Sequence, residues 1–228
     1  MVVLNPDRLV VTCPRCGSRQ HGRRNCLLNL CKTCGHRYLS GYLQEPVAPQ
    51  RPVSCFDCGA SLHVAVGALT TLCKKCSSHI DLRDYLITST VFQHFKTQGK
   101  VVITEKGCVH DTNAMVGEAV LKGTFIGRLT VERALTIHPT THIQGTFRAG
   151  KLIIPENTQF RWPVAIGVGA AEIGGELAAD LKAEALVLLK ATARFFGRVQ
   201  AAHLIVEPGA VFVGAAEVGV GRVPSVWA

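Results

Sequence analysis

The sequence predicts an all-β chain in which two small zinc ribbons precede a β-solenoid, and three observations predict it. Apolar residues between Val101 and Gly214 recur with a period near seventeen. Eight of the ten Cys fall into four Cys-x-x-Cys pairs. Those pairs are duplicated, each Cys standing 42 residues from its counterpart.

The repeat is an aliphatic residue, a second apolar residue two positions on, a large apolar residue eight on, and often Gly ten on. Leu135, Ile137, Ile143 and Gly145 fit it, as do Val187, Leu189, Phe195 and Gly197, and Leu204, Val206, Phe212 and Gly214. Leu152, Ile154 and Phe160 carry Trp162 in place of Gly. Two weaker copies precede them: Val101, Ile103, Val109 and Asp111, then Gly117, Ala119, Phe125 and Gly127. The Ala/Gly-rich segment between Leu152 and Val187 leaves room for one more, giving about seven coils. Seventeen residues are too few for a helical repeat unit, and an ordinary sandwich has no reason to repeat at constant length, so stacked β-coils are the physical reading. A spacing of two puts both members of a pair on one strand face. Gly ten on permits the positive φ of a corner. Leu129, Phe147, Leu181 and Val199 mark a third wall. Phe125, Phe160, Phe195 and Phe212 are expected as a stacked core column.

The N-terminal part opens with Cys13-Pro-Arg-Cys16 and Cys31-Lys-Thr-Cys34, then Cys55-Phe-Asp-Cys58 and Cys73-Lys-Lys-Cys76. A tetrahedral Zn²⁺ wants four thiolates, and two knuckles on facing hairpins deliver them in a segment too small for a core of its own. We therefore expect two structural Zn²⁺ ions on these eight Cys. Cys26 reads as a spare thiol, and Cys108 stands alone. His36 and His79 lie within three residues of a knuckle but are not needed to close a four-thiolate site. The expected organisation is ribbon one over residues 1–43, a Pro-rich linker over 44–52, ribbon two over 53–85, the solenoid over 86–219 and a tail over 220–228. Residues 86–95 read as strand, capping the first coil. The ribbons are expected not to share a core.

The formal charge is +9, and a nucleic-acid tag is the first thought it raises. Each Zn²⁺ with four thiolates carries −2, however, which removes most of the excess from the zinc half. What remains is local: Arg19, Arg23 and Arg24 beside His21, and Lys74 and Lys75 inside a knuckle, which read first as solvated turns and second as a set that can grip phosphate or a partner. There is no P-loop, and Gly167-Val-Gly169 lacks the third Gly of a dinucleotide fingerprint. His138 and His142 flank one corner as surface residues, so no enzyme is expected. No segment is long and apolar enough for a membrane span, and Met1 to Val11 lacks a signal-peptide pattern. The expected address is the cytoplasm.

The recurring aliphatic pair with a Gly corner, and the ending Leu204-Ile-Val-Glu-Pro-Gly-Ala-Val-Phe-Val-Gly214, resemble the bactofilins over roughly Thr97 to Gly219. That resemblance implies a right-handed parallel β-helix that stacks end to end into non-polar cytoskeletal filaments, often at the inner face of a membrane and serving cell-wall or morphogenetic proteins. Two ribbons preceding the helix depart from the family's short flanking tails. An open solenoid end exposes backbone groups and apolar interior, so Leu204, Val206 and Phe212 in the last coil are the expected self-assembly residues. Two other readings stand beside this one: a nucleic-acid-binding ribbon protein oligomerised by its solenoid, and a transferase built on a β-helix.

Overall fold

The computed structural model describes residues 8–23, 28–39 and 49–219. Every described element is a strand. The chain forms two compact units, Met1–Arg51 and Pro52–Ala228. The tail with Trp227, Cys26 and most of the Pro-rich linker lie outside the described residues.

In the first unit β1 (Arg8–Thr12) pairs antiparallel with β2 (Arg19–Arg23), and β3 (Leu28–Leu30) with β4 (Arg37–Leu39). Its apolar cluster is Val11, Cys13, Cys31 and Tyr38 with Cys34, of which only two are not Cys. The second ribbon repeats this plan 42 residues on with β5 (Gln50–Ser54), β6 (Ser61–Ala65), β7 (Thr70–Leu72) and β8 (His79–Asp81). Its cluster adds Val53, Val64, Ile80 and Leu82 to the cysteines.

The solenoid begins at β9 (Tyr85–Ile87) and β10 (Thr90–Phe92), which pair in parallel with the following coil, so this segment is the first rung itself. One wall carries the column Tyr85, Val101, Ala119, Leu135, Leu152, Ala171, Val187, Leu204, residue opposite residue. That makes eight rungs, one more than the repeat count, because the first has no Gly corner to announce it. The spacing between these positions is 16 to 19 residues, the 19 falling in the Ala/Gly-rich segment. The weak copy at Gly117 and Ala119 is out of register by two: the inward pair is Ala119 and Leu121, facing Leu135 and Ile137. A tighter corner before Phe125 shortens that rung. The third wall holds Leu129 against Phe147, Ile166 against Leu181, and Leu181 against Val199.

Aliphatic residues alternate with the expected aromatics on the remaining wall. Val91, Val109, Phe125 and Ile143 form one run, and Phe160, Leu177, Phe195 and Phe212 another. Between the runs Phe147, Phe160 and Trp162 cluster, with the rings of Phe160 and Trp162 stacked at 5.7 Å. Where Gly follows at the corner, φ is +133° to +145° at Gly127, Gly145, Gly197 and Gly214. A Cβ on Gly145 would lie 1.9 Å from the Gly127 carbonyl oxygen. At the corner of the second rung Asp111 replaces Gly and is buried, its carboxylate accepting the N–H groups of Phe95 and Asn113 at 2.8 and 2.9 Å.

Phe195 is fully buried and stacks on Phe212 with centroids 5.6 Å apart. Phe195→Ala is expected to cost about 3 to 5 kcal/mol, read as a lowered midpoint in thermal or denaturant unfolding. An unchanged midpoint would mean that this column does not carry the core.

Candidate metal centres and assembly end

Each Cys-x-x-Cys sits in a turn between two strands, and the backbone closes it the same way four times. The N–H of Cys13 donates to the Ser18 carbonyl and that of Gly17 to the Cys13 carbonyl, both at 2.9 Å. Cys31, Cys55 and Cys73 repeat this pair of bonds. The residue after the second Cys is left-handed: Gly17, Gly35 and Gly59 at φ +66° to +70°, and Ser77 at +60°. Glycine takes that conformation freely, whereas Ser77 is the one knuckle residue held there with a side chain.

Two knuckles then face each other in each ribbon. Cys13 Sγ lies 3.7 Å from Cys34 Sγ and Cys16 Sγ 3.5 Å from Cys31 Sγ; in the second ribbon Cys55 and Cys76 are 3.6 Å apart, Cys58 and Cys73 3.5 Å. All four sulfurs of a group lie within 4.8 Å of one another. A Zn–S bond of about 2.3 Å puts tetrahedral sulfurs about 3.8 Å apart, so each group fits one such ion and can hold a metal. All eight expected ligands are in these two groups.

The electrostatics ask for a cation. The Ser18 hydroxyl, 3.1 Å from Cys31 Sγ and 3.2 Å from Cys16 Sγ, leads the causes that bring Cys31 down to about 5. Ser78, 3.2 Å from Cys76 Sγ, does the same for Cys76, to about 6. Cys34 and Cys58 go the other way: a backbone N–H favours each thiolate, but burial and the neighbouring thiols push both up to about 12. Four thiolates this close repel unless a divalent cation sits among them. Sequence reasoning passed over Ser18 and Ser78, although each stands two residues after a knuckle Cys.

The second ribbon is built into the solenoid. Beyond its pairing with β7, β8 pairs in parallel with β11 (Lys96–Ile103), Asp81 opposite Thr97. The Thr97 hydroxyl donates to the Arg83 carbonyl at 2.8 Å. Gln98, wholly buried, donates its amide to the Ser54 carbonyl at 2.7 Å and to Glu132, while Arg133 donates to the Gln98 carbonyl at 2.9 Å. The Ser54 hydroxyl also bonds to Glu132, and Lys96 pairs with Asp57 inside the knuckle. Gln98 breaks the apolar pattern at a buried corner, the one signal that could have pointed here.

Asp81 ties this junction. Burial works to raise its carboxyl, but the Arg83 guanidinium at 3.0 Å and the Tyr85 hydroxyl at 2.5 Å hold it at about 2. Because that lies below the ordinary value of about 3.9, the stabilisation is present above pH 4 and lost as pH falls through about 2. Asp81→Asn is therefore expected to lower stability by about 1 to 2 kcal/mol near neutral pH, discounted for the half-exposed Arg83. The gap from wild type should narrow below pH 4, and a gap that stays constant down to pH 2 would show that the carboxylate is not the cause.

At the far end, the inward column Ile137, Ile154, Ile173, Leu189 is essentially inaccessible until it reaches Val206, which is 46% exposed. Leu204 and Phe212 are partly buried against the core, and Val211 and Val213 are exposed beside Phe212. The three residues expected for self-assembly thus share one rung. The basic candidates are spread: Arg19 is exposed on β2, Lys74 and Lys75 are exposed between Cys73 and Cys76, Arg23 ends β2, and Arg24 lies outside the described residues. At the solenoid corner burial, then Lys122, lowers the His138 imidazole and favours its neutral form.

The family model described as bactofilin, polymer-forming cytoskeletal, matches residues 79–164, from the end of the second ribbon through the fifth rung. Over those residues the solenoid is similar to a bactofilin domain, the domain of a structural, polymer-forming family. The comparison with curated proteins gives no match, and neither does the comparison with solved structures. Among the described residues no helix is long and apolar enough to cross a membrane.

Proposed function

We propose that the chain is a non-enzymatic scaffold whose solenoids stack end to end, with one structural Zn²⁺ in each ribbon and the ribbons recruiting a partner. The observation that carries this reading is the abrupt exposure of the core column at the last rung, from Leu189 at 0% to Val206 at 46%. A stack of parallel strands gains from another layer until something covers it. Self-association is a property of the family, and the apolar last rung supports the same mode here. Zinc is the metal that four thiolates at tetrahedral spacing favour. The cytoplasm, with the inner face of its membrane as one station, is the compartment this reading implies, and cell-wall or morphogenetic proteins are the class of client.

Negative-stain electron microscopy of the purified chain tests it. Eight rungs at about 4.8 Å span about 38 Å, and stacking is expected to give rods at least twice that length. Particles of single-solenoid length at every concentration and salt condition would remove the reading.

A further inference from the structure

The two ribbons are one structural unit written twice, so the surface by which the second grips its solenoid can be located on the first. In the second ribbon that surface is the outer edge of β8, which receives β11, together with Asp57, which pairs with Lys96. Shifted by 42 residues, Asp57 becomes Arg15, His79 becomes Arg37 and Asp81 becomes Leu39. An acidic docking edge has been rebuilt as a basic and apolar one.

Charge follows the same division. Residues 8–39 carry seven Arg and Lys and no Asp or Glu, so with four thiolates and one Zn²⁺ this stretch stands at +7 − 2 = +5. The counterpart residues 50–81 carry three basic and two acidic residues, giving +1 − 2 = −1. On the outer face of the β3–β4 hairpin Leu39 is 72% exposed and Leu30 57%, with Arg37 directly opposite Leu30. Among the described residues β4 pairs only with β3.

We infer that the β4 edge of the first ribbon receives an extended, acidic and apolar segment of a partner protein, added as a strand in the way β8 receives β11. This rests on the reading that the ribbons recruit a partner, and it names which ribbon and what chemistry. Main-chain bonds along β4 supply the attachment, while alternate side chains of the segment meet Leu39 and the Arg15 and Arg37 guanidinium groups. A nucleic acid satisfies the cations but leaves Leu30 and Leu39 in water, so the exposed leucines favour protein.

The test uses the full chain with Zn²⁺ and a fluorescein-labelled peptide alternating Val and Glu. Its controls are a peptide of the same composition with the Val and Glu in separate blocks, a Val/Lys peptide and a short single-stranded oligonucleotide. Anisotropy should report binding of the alternating acidic peptide alone. The double variant Arg15→Asp, Leu39→Asp, which restores the second ribbon's residues, should weaken it about tenfold or more. Arg37→Glu should weaken it too, and serves where the double variant loses metal. Equal binding of the block-ordered peptide, undiminished binding by both variants, or binding of the oligonucleotide in place of the peptide would overturn the inference. Light scattering of the same samples reports stacking separately: a chain that binds peptide without assembling sinks the scaffold reading only, and one that assembles without binding sinks this inference only.

Discussion

Chelation of the metal is expected to unfold the first ribbon completely, loosen half of the second and leave the solenoid folded. Among the described residues of the first ribbon, Val11 and Tyr38 are the only buried apolar side chains besides the thiols, too little to offset the conformational entropy of some thirty ordered residues. Its folding free energy must come from the ion. The second ribbon has four buried aliphatics and is held from outside by β11, Gln98 and Lys96. Its β7–β8 hairpin should therefore keep its place on the solenoid edge while the β5–β6 hairpin opens at the knuckle. Hydrogen exchange read by mass spectrometry resolves the three regions. Protection that persists over residues 8–39 after chelation, or that disappears over residues 96–218, would contradict this order.

The pairing of the second ribbon with the solenoid was not legible in its spacing, because Cys-x-x-Cys pairs separated by fourteen residues look the same in both ribbons. What distinguishes them lies in and after the knuckles: Asp57 where the first ribbon has Arg15, Asp81 where it has Leu39. The polar junction around Gln98 joins residues as far apart as Ser54 and Glu132, and no local pattern announces a contact across that separation. The two four-cysteine groups, by contrast, could be read to the residue from their spacing, since a tetrahedral site constrains its ligands by chemistry and not by context.

The solenoid was legible where its period held and blurred where the corners changed length. From Leu135 onward the inward pairs stand where the repeat puts them, because each rung buries the same positions against the rungs on either side. At Ala119 the corner before Phe125 is shorter, and a template of fixed length slips by two, which inverts nothing since two is the strand period. At Tyr85 the first rung lacks both Gly and a following apolar position at full spacing. Its neighbour on one wall is β8 of the ribbon, so the boundary between ribbon and solenoid is shared by both.

Phe212→Arg is expected to abolish end-to-end assembly while leaving the solenoid folded. Phe212 closes the aromatic run on the last rung, stacked on Phe195 and only partly buried, so its free face is what another layer would cover. In a single chain the arginine can turn its guanidinium to water, and the cost is limited to the lost stacking. In a stacked pair the same charge sits in an apolar junction with no counter-charge from an identical partner, which costs far more than the lost contact. A two-fold contact would place two such charges near each other and double the effect. If only this end pairs, the wild type stops at a dimer; if the β9–β10 end pairs as well, with Leu86 and Phe92 exposed on it, the chain grows into a filament without polarity. Light scattering on wild type and variant over a range of concentration separates these cases, with circular dichroism confirming that the variant keeps its β signal. A folded variant whose particles grow as large as those of wild type would move the interface away from this rung.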